Sequence, residues 1–236
     1  MEWNSIGHLL EDAARRYGDS PLFIFEGQTL SFETVNRRVN QTANALKVLG
    51  VQRGEHVAVM LPNGVDFPIV WMALGKLGAV IVPININYHD HDLTYTLNDS
   101  HAVYFVLQNS YLLQWERVSA NVLTVKQTFL LPENPEIATD FSLQIAQSSE
   151  IYSDQTVGLD DLVNIQYTSG TTGFPKGCML THDYWLRIGQ IAADYFDLKK
   201  GDVNLTAQPF YYMDPQWNTI ACLIGGAPLV ILQRFS

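Results

Sequence analysis

The stretch Tyr167–Gly177, YTSGTTGFPKG, holds four Ser/Thr, three Gly, one Pro and one Lys in eleven residues. Those residue types suit the binding of phosphate. Phosphate oxygens need many donors at short range, and the backbone N–H groups of a glycine-rich turn can approach them because no Cβ intervenes. The hydroxyls of Thr168, Ser169, Thr171 and Thr172 add donors. The Lys176 ammonium adds a positive point charge with the reach of a terminal phosphate. The stretch therefore reads as a polyphosphate cradle. It departs from the P-loop of nucleotide triphosphatases, which needs G-x-x-x-x-G-K-[ST]: from Gly170 the order is G-T-T-G-F-P-K, with Pro175 before the lysine and Gly177 after it. Pro175 disfavours helical geometry at Phe174, so a loop that closes over phosphates is expected, not a helix starting at the lysine. On composition alone the alternative is a solvated surface loop of a common kind.

A cradle needs a scaffold to aim it. LVNIQYT (Leu162–Thr168) reads as a strand that runs straight into the glycine-rich stretch, and a helix is expected from about Thr181 to Phe196. Upstream, Ile6, Leu9, Leu10, Ala13, Ala14 and Tyr17 repeat at three and four, the stripe of an amphipathic helix that Gly18 stops. PLFIFEGQTLSF reads as two short strands around a Glu-Gly-Gln turn, and Ser31 as the N-cap of a helix ending at Gly50. Strands are expected at His56–Leu61, Ala79–Ile84, Val103–Leu107, Val203–Pro209 and Pro228–Gln233. Helices are expected at Asp66–Leu77, His91–Ser100 and near Asp214–Ile224, with helical and mixed segments over 110–150. Strand–helix alternation with apolar strands implies an α/β fold: a predominantly parallel sheet covered by helices on both faces. Ligands of such sheets bind beyond the carboxyl ends of the strands, where the glycine-rich stretch sits.

Of the 236 residues, 47% are hydrophobic and 16% charged, which is globular composition with material for a core. A net charge of −10 with no Lys/Arg cluster argues against nucleic acid and anionic membranes as partners. The longest apolar stretch, near Val65–Val82, is broken by Lys76, Pro68, Gly75 and Gly78, so no membrane span is expected. Cys178 and Cys222 form neither a disulfide framework nor a ligand cluster and read as reduced, buried thiols of a cytoplasmic protein. His89-Asp90-His91-Asp92 could ligate zinc, but no further ligand cluster accompanies it, and a helix start with Asp caps is the preferred reading; no metal site is assigned. His182 could cap or orient the helix that follows it.

With Leu180-Thr181-His182 behind it, Tyr167–Gly177 resembles the signature of the adenylate-forming, or AMP-binding, superfamily, which includes acyl-CoA synthetases and the adenylation domains of peptide synthetases. Leu30–Val35 (LSFETV) is similar to an early element of that superfamily, and Leu74–Asn85 (LGKLGAVIVPIN) to its K-x-G-A-x-x-V-P element. The resemblance covers essentially the whole chain. It implies an ATP-dependent carboxylate–CoA ligase that joins a carboxylate to AMP and passes the acyl group to a thiol, with ATP, Mg²⁺ and coenzyme A as cofactor and co-substrates. Thr168, Ser169, Gly170, Thr171, Thr172, Gly173 and Lys176 would then hold the β- and γ-phosphates, and Lys176 and Thr168 are the candidate catalytic residues.

Gln208–Asn218 (QPFYYMDPQWN) is similar to the family's P-L-F-H element beside the acyl pocket, with Tyr212 where the family often has His. This makes Tyr211, Tyr212, Met213, Asp214, Gln216 and Trp217 the substrate-pocket candidates; the alternative is core aromatics at a helix start, with Asp214 as N-cap and Pro215 at the first helical position. A faint likeness to carnitine and crotonobetaine CoA ligases suggests a cationic acyl substrate. Family elements that contact adenine, ribose and the acyl-adenylate's distal lysine find no match, so residues 1–236 are expected to be the N-terminal portion of a larger AMP-binding domain, without its C-terminal lid and not competent alone. An amino-acid adenylation domain and a non-catalytic binding or regulatory module are the other readings, and an unpaired sheet edge would favour a homodimer.

Overall fold

The computed structural model describes residues 2–134, 136–153, 156–168 and 175–233. Its elements in chain order are α1 (Ile6–Tyr17), β1 (Pro21–Phe25), β2 (Gln28–Ser31), α2 (Phe32–Val48), β3 (His56–Met60), α3 (Asp66–Leu77), β4 (Val80–Pro83), α4 (Asp90–Asp99) and β5 (Tyr104–Gln108). They continue with α5 (Leu112–Val118), β6 (Gln127–Leu131), α6 (Asp140–Gln147), β7 (Leu162–Thr168), β8 (Lys176–Thr181), α7 (His182–Tyr195), β9 (Asn204–Thr206), α8 (Met213–Gly225) and β10 (Leu229–Ile231). The strands form two sheets, in the orders β6-β5-β3-β4-β7-β8 and β2-β1-β10-β9. Among the described residues only the hairpin pairs β1–β2 and β7–β8 are antiparallel; every other pairing is parallel. The α/β architecture is the one the alternation implied, divided between two sheets.

Side-chain alternation explains the layering. Val57, Val59, Ile81 and Val106 point from one face of the larger sheet into a core shared with α1, α2, α3, α7, α8 and the smaller sheet. Ala58, Met60, Val80, Val82, Phe105 and Leu107 point from the opposite face onto α4 and α5. A strand apolar on both faces must be covered on both, which is what His56–Met60 declares in its sequence. Helix α3 is buried from Phe67 to Leu77, since it lies in the shared core and packs on α1 and α2. Ser31 caps α2 as expected, its Oγ accepting from Thr34 N at 3.1 Å.

Three differences from the sequence reading have local causes. Strands β6 and β8 were not expected: β6 is a short edge strand before Pro132, and β8 contains glycine and polar residues and exists because β7 pairs with it. Cys222 is buried, but Cys178 is exposed because it lies on β8, the sheet's edge strand. At the start of α4 the N-cap is His89, without a side-chain bond; Asp90 and Asp92 occupy the first turn, where the helix dipole favours them, and Asp90 pairs with Arg117 at 3.0 Å.

His182 is no cap either. Thr181 caps α7, its hydroxyl accepting from Tyr184 N at 3.3 Å. The His182 ring is fully buried, and its Nδ1 accepts from Ile6 N at 3.2 Å, which docks the start of α1. Burial holds the imidazole pKa at about 4, with Asp161 opposing part of that shift. The sign follows directly: between the ordinary value of 6.5 and about 4, the unfolded chain takes up a proton that the folded chain refuses. Stability is therefore retained above that window and lost as pH falls through it, at about 1.4 kcal/mol per pH unit for this group. Thermal denaturation between pH 7.5 and 4.5 should show a shallower loss for His182→Asn, whose Oδ1 can accept from Ile6 N without titrating. Parallel curves would remove His182 as the cause.

Candidate nucleotide and acyl site

The carboxyl end of β7 is where the candidate residues begin to converge. Thr168 and Lys176 are register partners across the β7–β8 hairpin, and both are exposed there. Among the described residues, no carboxylate forms an ion pair with Lys176. Ser169, Gly170, Thr171, Thr172 and Gly173 lie outside the described residues. The hairpin's feet are fixed by α4: Tyr95 Oη donates to the Pro175 carbonyl at 3.1 Å, and Tyr167 Oη donates to Asp99 Oδ2 at 2.6 Å. Burial and then the Asp99 bond push the Tyr167 phenol pKa up, so it stays a donor. Gly177 sits opposite Tyr167, and a Cβ there would lie 2.6 Å from Ile165 Cγ2 and 3.2 Å from the Tyr167 ring. The glycine after the lysine is thus a packing requirement of the hairpin.

The second arm is the turn after β9 that leads into α8. Tyr211 is buried and Tyr212 is 47% exposed, their ring centroids 4.8 Å apart. Tyr211 is raised in pKa by burial first, then by nearby Tyr212 and Tyr111, while Tyr88 is raised chiefly by burial, with Tyr212 contributing. Asn87 Nδ2 lies 3.5 Å from Tyr211 Oη. Asp214 is not an N-cap: Tyr212 holds that position, Met213 opens the helix, and Asp214 Oδ2 accepts from Asn218 Nδ2 at 3.2 Å. Met213 and Trp217 are partly buried.

Gln216 is fully buried and its amide is fully engaged, so it braces the site from behind. Its Oε1 accepts from Asn164 Nδ2 at 2.8 Å, and its Nε2 donates to the carbonyls of Phe210 at 2.8 Å and Tyr212 at 3.2 Å. Asn164 Oδ1 in turn accepts from Trp71 Nε1 at 2.8 Å. Gln166 Nε2 donates to the Tyr211 carbonyl at 2.6 Å. Asn63 closes the other end of the turn: its Nδ2 donates to the carbonyls of Gln208 and Leu232, both at 3.0 Å, and its Oδ1 accepts from Phe210 N at 2.9 Å. Sequence reasoning missed Asn63, Asn164 and Gln166. The signal for two of them was present, as amides at alternate positions of an otherwise apolar strand must be satisfied inside the core.

A family model described as "AMP-binding enzyme" matches residues 10–236. The chain belongs to the AMP-binding enzyme family. Crotonobetaine/carnitine–CoA ligases of Salmonella paratyphi A and Salmonella typhi are each 29% identical to it over 244 residues, covering 98% of this chain and 47% of theirs. The chain spans about half the length of the curated relatives it matches. A long-chain-fatty-acid–CoA ligase structure from Archaeoglobus fulgidus superposes with a TM-score of 0.90 at 26% identity, over 99% of this chain and 48% of that one. The inhibitor-bound N-terminal domain of FACL13 from Mycobacterium tuberculosis shares the fold, with a TM-score of 0.90 at 24% identity over 99% of this chain and 58% of that one.

At the carboxyl end of β7 an exposed hydroxyl and an ammonium with no carboxylate partner among the described residues stand together, a donor set whose chemistry suits a polyphosphate. Among the described residues no group of three or more His, Cys, Asp or Glu could hold a metal ion. Among them, too, no helix is long and apolar enough to cross a membrane.

Proposed function

We propose that this chain is the N-terminal portion of an ATP-dependent carboxylate–CoA ligase that works through an acyl-adenylate. The observation that carries the reading is the pairing of Thr168 with Lys176 at the carboxyl end of the strand whose Gln166 also holds the aromatic turn. The phosphate-binding and acyl-binding residues thereby share one rigid support. In the reaction, a carboxylate oxygen bonds to the α-phosphorus, the bridging P–O bond to the β-phosphate breaks, and its electron pair leaves with pyrophosphate. Lys176 offsets the charge that develops on that leaving group, and Thr168 donates a hydrogen bond beside it, together with Ser169, Gly170, Thr171, Thr172 and Gly173 of the intervening loop. Mg²⁺ would enter on the nucleotide's own phosphates, as this ion commonly does. The thiol of coenzyme A would then displace AMP. A cytoplasmic setting, where both co-substrates are abundant, belongs to the same proposal, as does a homodimer.

The acyl end of the proposal is a short carboxylate carrying a quaternary ammonium group. Two observations support it: the rings of Tyr211 and Tyr212 lie with centroids 4.8 Å apart in a turn that carries no basic residue, and Asp214 lies in the first turn of α8. Aromatic faces and a carboxylate both attract a cation. The relatives named for crotonobetaine and carnitine agree with this. The second reading, an amino-acid adenylation domain, rests on the same Asp214, which could hold an amino group. Carboxylate-dependent pyrophosphate release by the whole protein that contains this chain, measured with betaine-type acids, fatty acids and α-amino acids, separates these readings. Betaine-type acids are expected to give the highest kcat/KM. Release with no acid would overturn the ligase reading, and a preference for α-amino acids would favour the adenylation domain.

A further inference from the structure

The turn carrying Tyr211 and Tyr212 closes on a backbone bond from Tyr212 N to the Pro209 carbonyl at 2.9 Å, and side-chain amides hold the rest of it to the core. Asn63 takes the Phe210 N–H and the Gln208 carbonyl, Gln216 takes the Phe210 and Tyr212 carbonyls, and Gln166 takes the Tyr211 carbonyl. Regular secondary structure would satisfy such groups along the backbone; here three side-chain amides do so, from the β3–α3 connection, from β7 and from α8. Gln166, Gln216 and Asn164 are 3%, 0% and 0% exposed, so water offers no substitute if one is removed. Gln166 precedes Thr168 by two residues on β7, so the amide that holds the Tyr211 carbonyl stands on the strand that carries Thr168 and pairs with Lys176. Gln216 Nε2 also lies 3.5 Å from Gln166 Oε1, which brings both clamps into one chain that continues through Asn164 to Trp71.

We propose that Gln166 and Gln216 are positioning residues for the ligase reaction: they lock the aromatic turn to β7 and so set the distance between the acyl carboxylate and the nucleotide's phosphates. They touch no substrate and act through the backbone they hold. A satisfied buried amide chain has one low-energy arrangement, which suits a part that must repeat a geometry to a fraction of an ångström. Misplacement of reacting groups lowers the rate of the chemical step more than it weakens binding. This inference rests on the ligase reading for its kinetic consequence, while the mechanical coupling stands on the geometry alone.

Gln216→Met and Gln166→Met keep most of the side-chain volume and remove the donor. In the whole protein, each is expected to lower kcat for carboxylate-dependent pyrophosphate release about 10-fold to 100-fold. The KM for ATP should stay within about threefold. Phe105→Leu removes buried volume on the opposite face of the larger sheet, outside this amide chain; it should lower the melting temperature while leaving kcat within about twofold. Backbone amide exchange gives a readout that needs no activity: Gln216→Met, made on α8, should speed exchange about tenfold both at 210–212 and at the end of β7. Exchange changes confined to α8, or a Phe105→Leu variant that loses kcat as Gln216→Met does at a matched loss of melting temperature, would overturn the proposal. If Gln216→Met does not fold, Gln166→Met carries the test, with exchange at 210–212 and α8 as its readout. A wild-type protein that releases no pyrophosphate would defeat the ligase reading and leave the exchange result to decide the coupling.

Discussion

Lys176→Ala in the whole protein is expected to slow acyl-adenylate formation by roughly 10²- to 10³-fold, the usual loss when one donor to developing charge is removed. Thioester formation from pre-formed acyl-adenylate should change by no more than about threefold, because pyrophosphate has already left. The asymmetry is what the position of Lys176 demands. It starts β8 in register with Thr168, it is exposed, and among the described residues no carboxylate competes for it. A charge so placed can act on the polyphosphate and has no role once that group departs. Single-turnover measurement of the two half-reactions checks this; equal losses in both would remove Lys176 from the phosphate end. Lys176→Arg should recover little of the rate, since a planar guanidinium does not reproduce a compact ammonium.

Lys76→Ala should lower folding stability by about 3–5 kcal/mol, the range for removing one partner of a buried charged cluster. The Lys76 side chain is 2% exposed, and its Nζ donates to Glu11 Oε1 at 2.8 Å, Asn36 Oδ1 at 3.0 Å and Asn40 Oδ1 at 2.7 Å. Burial lowers the Lys76 pKa, and the Glu11 bond and charge counter that shift. The ammonium thus has all three donors satisfied, and α3 is tied through it to α1 and α2. Removing it leaves a carboxylate and two amide oxygens facing a void. Lys76→Met, which keeps the volume, should recover the packing part only. Urea denaturation measures both; a loss below about 1 kcal/mol for Lys76→Ala would show that the cluster relaxes onto water.

Lys76 also shows why part of the molecule was legible and part was not. It belongs to a stretch, Leu74–Asn85, whose likeness to the family was visible in sequence, yet its side chain faces α1 and α2 in the core. A family element marks that a residue matters and leaves open whether it matters for chemistry or for packing. Gln216 makes the same point from the pocket side. Its place in Gln208–Asn218 suggested a substrate contact, whereas its amide is consumed by Asn164, Phe210 and Tyr212. Cys178 and Cys222 look alike as isolated cysteines, and only the edge position of β8 exposes the first of them.

By itself the sequence determined the order and kind of most elements, because they follow from local periodicity: the apolar runs of β3, β4 and β5, the stripe of α1, the Ser31 cap of α2 and the helix Asp66–Leu77. It also raised the phosphate-binding reading of Tyr167–Gly177, which the proposed function carries and the Lys176→Ala experiment tests. The tertiary structure decided what depends on residues far apart in the chain. It divided the strands between two sheets, made β8 a strand by pairing it with β7, and drew Asn63, Gln166 and Gln216 around one turn. A buried amide is satisfied by whichever carbonyl the fold delivers to it, and that delivery is set by packing across the whole core, which no local window of sequence contains.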